Sequence, residues 1–360
     1  MMDTAIKTGL IGFGAAGKFM HAPFLKTLPG MYNVVTVLER HASESRTLFP
    51  DAEIVRSLDD MLKTDIDLVI ITTPNDTHLP YTKQALLAGK NVVLEKPFTI
   101  NTADATELID IARTQNKILS VFHNRRYVTD FLTIKEILGQ NLLGDVHDFE
   151  AHYDRYRPEA KPNAWREEPL PASGIWYDLG AHIIDQALYF FGLPKTINAD
   201  IRMQRSHARA TDYFDVRLNY GFLTVTLKSG MLVREPGPRY LIHGLKGSFI
   251  KYGEDPQEAY LRAGYLPTQV PGWGEENPEF YGLLHTEING EVVKKHYPSL
   301  KGDYGYYYQN LYQTIVNGAE LREKPEHGFN TIRIVELGLK SSEKKCTIEC
   351  DGLIDVKYPW

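Results

Sequence analysis

Two stretches of this chain carry residue types that can move a proton. In the first, Val92-Val93-Leu94-Glu95-Lys96-Pro97, an apolar β-branched run delivers a carboxylate and an amine before a proline breaks it. Such a run reads as a buried strand, and in open α/β sheets ligands bind at the carboxyl ends of the strands. A partly desolvated lysine there loses basicity, because burial disfavours the charged form, and a cationic ring nearby pushes the same way. The alternative is a solvated Glu95-Lys96 pair in a loop. The second stretch, Ile175 to Phe191, reads as one helix with Gly192 past its end and Pro194 beyond. Asp178 and His182 are four residues apart and share a face, with Asp185 and Gln186 a turn further on. A buried carboxylate raises an imidazole's pKa and, if hydrogen-bonded, orients the ring, as in general acid-base pairs. The same spacing also describes an ordinary ion pair. A metal site is the weaker reading: two ligands on a helix need a third, and no H-E-x-x-H or C-x-x-C accompanies them, so no metal is expected.

The elements before Lys96 read as a dinucleotide site. Thr8-Gly9-Leu10-Ile11 runs into Gly12-Phe13-Gly14-Ala15-Ala16-Gly17, and Lys18-Phe19-Met20 has helical character. In a G-x-G-x-x-G turn between strand and helix, Gly12 permits the tight turn, Gly14 lets the backbone approach a pyrophosphate and Gly17 allows close helix-strand packing. Gly12, Phe13, Gly14, Ala16 and Gly17 are the candidate contacts in this turn, and Glu39, Arg40, Thr73, Pro74, Asn75, His78, Glu95 and Lys96 are the further candidates for holding the cofactor. A second strand, Val34 to Leu38, ends in Glu39-Arg40-His41, close to the spacing at which a ribose is read. A carboxylate there favours NAD and an arginine favours NADP; both are present, and Arg40 can equally be a solvated strand-end charge. A third strand, Asp67 to Thr72, closes with Thr73-Pro74-Asn75-Asp76-Thr77-His78. Thr73 and Asn75 can bond beside a nicotinamide and Pro74 fixes the turn, with His78 opening a helix to Gly89. Capping of that helix by Asn75-Asp76-Thr77 can coexist with ligand contact. A helix from Asn101 to Gln115 and a strand from Ile118 to Phe122 complete the alternation. This predicts an α/β doubly wound parallel sheet over residues 1–123.

After Phe122 the pattern changes, so residues 124–360 read as a second, α+β domain with an open, mostly antiparallel sheet. Its strands are Val146 to Tyr153, Thr196 to Met203, Tyr213 to Tyr220, Leu223 to Lys228, Arg239 to His243 and Ser248 to Tyr252. Asn289-Gly290 marks a hairpin. Residues 154–174, with Trp165-Arg166, read as a long loop that either borders a substrate or is surface variation. Residues 254–282 read as irregular. Asp303 to Val316 and 330–341 read as helices, with the cluster Tyr304, Tyr306, Tyr307 and Tyr308 read as serving packing or an interface ahead of stacking on a ligand. Asn124, Arg125 and Arg126 either bind substrate or cofactor or form a charged turn, and Tyr153 and Arg155 are weaker substrate candidates.

A chain of 360 residues exceeds the size at which single cores stop growing, which favours two domains. Hydrophobic and charged fractions of 43% and 24% are those of a soluble globular protein, and no apolar window reaches the length of a membrane span. No signal-peptide core follows Met1-Met2-Asp3. A formal charge of -6 offers no footprint for nucleic acid. Cys346 and Cys350, if on one strand, lie roughly 13 Å apart, too far for a disulfide, so a reduced cytoplasmic protein is expected.

Taken together, G-F-G-A-A-G, Thr73-Pro74-Asn75, Glu95-Lys96-Pro97 and Asp178-Leu-Gly-Ala-His182 resemble the glucose-fructose oxidoreductase, inositol dehydrogenase and MocA family across essentially the whole chain. Segments such as Phe122-His-Asn-Arg-Arg-Tyr127, Tyr156-Arg-Pro158 and Gly247-Ser-Phe-Ile-Lys-Tyr-Gly253 look most like its NADP-dependent scyllo-inositol 2-dehydrogenase branch. There the second strand tends to end in Ser-Arg, whereas Glu39 stands here, which leaves NADP only slightly ahead of NAD. The resemblance implies a homo-oligomer, dimer or tetramer, packed through the second domain's sheet. It also implies reversible oxidation of a secondary alcohol on a polyol or sugar, with Lys96, Asp178 and His182 reactive in the cleft between domains. His182 would be the base, Asp178 its orienter and part of a substrate clamp, and Lys96 a donor to the developing alkoxide, with Lys96 and His182 able to exchange roles. Some relatives are dinucleotide-dependent regulatory binders, which is the non-enzymatic alternative.

Overall fold

The computed structural model describes residues 5–28, 30–161 and 164–359. The Met1-Met2-Asp3 start and positions 162 and 163 of the long loop lie outside them. Contacts gather the chain into two units that interleave in sequence. One holds the residues up to Tyr127 with Pro256–Trp273 and Asp303–Phe329; the other holds Val128–Asp255, Gly274–Gly302 and the residues from Asn330 onward.

In the first unit the apolar runs become six strands: β1 Ile6–Ile11, β2 Tyr32–Leu38, β3 Glu53–Val55, β4 Leu68–Ile71, β5 Asn91–Leu94 and β6 Leu119–Val121. All neighbours are parallel, in the order β3-β2-β1-β4-β5-β6. This is the doubly wound order, and its direction reverses between β1 and β4, where such sheets bind ligands. Every residue of β4 is buried, as a central parallel strand covered on both faces requires. Each aliphatic side chain so buried contributes roughly 1.5–3 kcal/mol. Between strands run the helices Ala22–Thr27, His78–Leu87 and Thr102–Thr114. Asn101 caps the last by accepting the Asp104 N–H at 2.9 Å.

Strand β3 and the helix Leu58–Leu62 escape the sequence reading, because three and five residues are too few to show a period. A helix at Gln257–Arg262 likewise lies in the stretch read as irregular. It and the helix Gly305–Asn317 join this unit through aromatic packing. Phe24 packs edge-on against Tyr304 and Trp273, Tyr32 donates to the Tyr308 carbonyl at 2.6 Å, and Tyr307 donates to Ser120 at 2.8 Å. Tyr304, Tyr307 and Tyr308 are buried and Tyr306 is exposed, so three of the four clustered tyrosines serve the core.

The second unit is built on nine strands: β7 Val146–His152, β8 Thr196–Arg202, β9 Tyr213–Asn219, β10 Thr224–Gly230, β11 Tyr240–Gly244, β12 Gly247–Lys251, β13 Gly282–Ile288, β14 Glu291–Tyr297 and β15 Ile348–Glu349. Their order is β14-β13-β12-β11-β7-β10-β9-β8-β15, and only β7 and β10 pair in parallel. The sheet is therefore mixed and mostly antiparallel. Asn289 and Gly290 turn the β13-β14 hairpin with φ of 53° and 84°, the positive pair a two-residue primed turn demands.

The strand read over Cys346 to Cys350 shrinks to the two residues of β15, and both cysteines are free. The single helix read from Ile175 to Phe191 is in fact a wide π turn, Trp176–Gly180, followed by an α-helix, Ala181–Phe191. The indole of Trp176 is fully buried and donates to the Val335 carbonyl at 3.0 Å, a packing demand that hydrophobic period does not report. Two more helices, Thr129–Gly139 and Pro325–Lys344, complete the set; the latter outruns the 330–341 read from the sequence. Among the described residues no helix is long and apolar enough to cross a membrane.

Candidate active site

Within the first unit, the turn after β1 meets the steric demands of a pyrophosphate cradle. Gly12 has a φ of 88°, and a Cβ on Gly17 would fall 2.2 Å from the Gly12 carbonyl oxygen, so a larger residue at Gly17 would force the turn open. At Gly14 nothing stands within 4 Å of where a Cβ would be, which leaves room for a ligand to reach the backbone. The residues present therefore fit a dinucleotide. Phe13 is buried, and Ala16 begins a π-wound turn, Ala16–His21, that leads into the helix Ala22–Thr27. Thr72 Oγ1 donates to the carbonyls of Ile11 at 2.9 Å and Gly12 at 3.0 Å, tying the end of β4 to the turn.

At the end of β2, Glu39 is buried and its carboxylate is committed to its own loop. Oε1 accepts the Ser45 N–H at 3.0 Å and the Ser45 hydroxyl at 2.5 Å, and Oε2 accepts the Glu44 N–H at 3.0 Å. Three of about four acceptor positions are thus filled. Arg56 Nη1 braces the same loop, donating to the Glu39 and Ala42 carbonyls. Arg40, next in the chain, is exposed.

The loops after β4 and β5 are joined by His78. Its Nδ1 lies 2.9 Å from the Pro97 carbonyl and its Nε2 3.1 Å from the Thr73 carbonyl. Burial pushes this imidazole below its ordinary pKa, against the raising pull of those carbonyls. Thr73 and Thr77 share a hydroxyl contact of 2.5 Å, Pro74 accepts from Thr77, and Asn75 is buried at the start of a 3-10 turn. At the end of β5, Lys96 is half-buried and its peptide to Pro97 is cis. Glu95 is 8% exposed, and its two oxygens have separate duties: Oε2 accepts the Lys96 N–H at 3.0 Å and Oε1 lies 2.9 Å from His21 Nε2. Burial alone would raise the Glu95 carboxyl. The His21 hydrogen bond and the charge of Lys96 override this and hold it below the ordinary range.

After β6, Asn124 is buried in a 3-10 turn. Arg125 is engaged within this unit by the Glu258 carboxylate and by Tyr304 Oη at 3.0 Å. Arg126 is buried 3.8 Å from Glu323.

In the second unit, Asp178 lies on the π turn and His182, 7% exposed, on the first turn of the α-helix. Asp178 Oδ1 lies 3.2 Å from Arg166 Nε, so the long loop supplies a partner that spacing on the helix could not reveal. That loop is anchored further by Arg205 on Glu167 at 2.6 Å and Arg209 on Glu168 at 2.7 Å. Tyr153, just past β7, is buried under the Arg239 guanidinium, 3.8 Å from its ring, while Tyr240 beside Arg239 donates to Gln186 at 2.8 Å. Arg155 is held at the backbone, its N–H donating to Gly230 at 2.9 Å. Among the described residues no group of three His, Cys, Asp or Glu could hold a metal ion.

The structure thus gathers the glycine turn, Thr73, Asn75, Glu95 and Lys96 at the carboxyl ends of adjacent strands, and groups Asp178, His182 and Arg166 on one segment of the second unit. Sequence reading missed His21. It sits four residues after Gly17, and a lone histidine in an apolar helical run was the available signal.

Comparison with known proteins gives this geometry a context. A family model described as "Oxidoreductase family, NAD-binding Rossmann fold" matches residues 6–123, and that family's "C-terminal alpha/beta domain" model matches residues 135–350. The scyllo-inositol 2-dehydrogenase (NADP(+)) IolW of Bacillus subtilis strain 168 is 42% identical over 348 residues, 96% of each chain. A solved structure of YvaA from Bacillus subtilis matches with a TM-score of 0.93 at 41% identity, covering 97% of this chain and 99% of that one. A Bacillus cereus oxidoreductase matches with a TM-score of 0.89 at 36% identity, covering 97% and 100%.

Proposed function

We propose that this chain, which belongs to the glucose-fructose oxidoreductase, inositol dehydrogenase and MocA family of NAD(P)-dependent dehydrogenases, interconverts a secondary alcohol and a ketone on a cyclic polyol or sugar. The observation that carries this reading is Lys96, held by Glu95 at the end of β5 in the sheet whose β1 turn has room for a pyrophosphate. The name of IolW makes scyllo-inositol the first substrate to try.

Gly12, Phe13, Gly14, Ala16 and Gly17 would hold the pyrophosphate, Arg40 the ribose end, and Thr73, Pro74 and Asn75 the nicotinamide end. When bound, the dinucleotide supplies the capacity to take or give a hydride. Oxidising an alcohol also requires its hydroxyl proton to leave, so a base must come within hydrogen-bond reach of that oxygen. His182 is the proposed base. Asp178 orients it and helps clamp the substrate, and Lys96 donates to the developing alkoxide, where charge stabilisation is worth most. The reverse assignment, with Lys96 moving the proton, uses the same groups. Asn124, Tyr153 and Arg155 are proposed substrate contacts, whereas Arg125 is already committed to Glu258.

NADP is the proposed cofactor, because the Glu39 carboxylate is occupied by its loop and Arg40 is left to meet a 2′-phosphate. The test is cofactor reduction with a panel of inositols, other polyols and sugars at fixed NADP or NAD. Turnover with scyllo-inositol or a close stereoisomer is expected; cofactor binding with no turnover across the panel would overturn the reading.

A further inference from the structure

His21 is fully buried and forms a chain that ends at Lys96. Its Nε2 lies 2.9 Å from Glu95 Oε1, its Nδ1 lies 2.5 Å from Tyr308 Oη, and the other Glu95 oxygen accepts the Lys96 backbone N–H at 3.0 Å. All four residues belong to the first unit, and His21, Tyr308 and Glu95 each lie below 9% exposure. A buried carboxylate needs a donor on each oxygen, or it neutralises or costs several kcal/mol. With Nε2–H donated to Glu95, the remaining ring nitrogen is an acceptor, and the Tyr308 hydroxyl is the donor that satisfies it. The tyrosine therefore selects the tautomer that serves Glu95. Packing keeps the imidazole in place: Phe122 lies 4.2 Å from it, centroid to centroid.

We propose that the Tyr308-His21-Glu95 chain is the positioning device for Lys96, holding Glu95 as an anion and clamping the Lys96 backbone so that its amine is presented in one orientation. This rests on the reading of Lys96 as the donor to the substrate oxygen. The ionisable groups whose fields Glu95 shares are His21, Lys96, His78, Tyr307 and Tyr308. Of these only His21 donates to it from a neighbouring element. His78 is spent on the carbonyls of Thr73 and Pro97. Misplacing a reacting group by about 1 Å costs roughly 10²-fold in rate, which sets the expected effect.

The experiment compares His21→Leu, His21→Gln and Tyr308→Phe in the full chain, reading kcat, NADP dissociation constant and amide hydrogen exchange at Lys96. His21→Leu is expected to lower kcat by roughly 10²-fold with NADP affinity within about twofold, because no cofactor contact is removed. Lys96 amide protection should fall by about tenfold or more while Val92, Val93 and Leu94 stay protected. His21→Gln, which restores a donor to Glu95, should recover much of both losses. Tyr308→Phe removes one hydroxyl only, so it decides the matter if His21→Leu fails to fold, and it should move both readouts in the same direction. A folded His21→Leu or Tyr308→Phe with kcat within twofold of wild type, or with unchanged Lys96 amide protection, overturns the proposal. Lys96→Met with near-wild-type turnover would instead overturn the underlying reading of Lys96, whatever the amide exchange shows.

Discussion

Glu39 holds the loop behind β2 together through three hydrogen bonds, so its side chain works as a loop clasp. Removing it should loosen residues 40–47 and weaken both cofactors without switching preference, whereas removing Arg40 should act on NADP alone. The expected result for Arg40→Ala is a loss of roughly 10- to 100-fold in kcat/KM for NADP, the worth of one charged hydrogen bond, with NAD changed less than about twofold. Steady-state kinetics with both cofactors checks this; NADP use that survives Arg40→Ala unaltered removes Arg40 as the phosphate anchor. From sequence alone the pair Glu39-Arg40 does not choose a cofactor, because the partners that occupy Glu39, Ser45 and Glu44, are visible only once the loop is folded. The glycine turn reads more directly: Gly12 and Gly17 each carry a steric demand that can be stated from the motif. His21 does not, since its partners lie 74 and 287 residues away and nothing local marks them.

Among the elements, the 3-10 turn Asn124–Tyr127 and the helix Gln257–Arg262 meet through Arg125 and Glu258. Burial would raise the Glu258 carboxyl, but Arg125 and Arg262 overcome this and hold it at about 2, below its ordinary 4.5. Because the folded value is the lower one, the pair stabilises fully above about pH 4.5 and its contribution is lost as pH falls from there toward 2. Chemical denaturation of wild type and Glu258→Gln at pH 6 and pH 3 measures it. The variant should be less stable at pH 6 by roughly 1–3 kcal/mol, with the gap shrinking at pH 3; a gap independent of pH contradicts the assignment.

Strands are readable where their alternation persists, as in β8, β9 and the β13-β14 hairpin. What escaped was short or set by distant packing: β3, the helix Gln257–Arg262 inside a Pro- and Gly-rich stretch, and the π turn that seats Trp176. Arg166 on Asp178 belongs to the same class, since a loop residue finds its partner only through the fold.

For the molecule as a whole, the chain is an NAD(P)-linked dehydrogenase. A homo-oligomer formed through the sheet of the second unit is the proposed assembly, and Phe222, Leu245 and Val292, exposed at its turns and outer strand, are the positions that probe it. Sedimentation equilibrium should give a dimer or tetramer for wild type and a smaller species for Val292→Arg combined with Phe222→Arg; a wild-type monomer contradicts it. The central claim concerns Lys96 and His182, and it is tested most directly by measuring polyol-dependent NADP reduction and NADP binding in Lys96→Met and His182→Ala beside wild type. The account predicts retained cofactor binding with turnover reduced by about 10² or more in both. Near-wild-type turnover in both variants would contradict it.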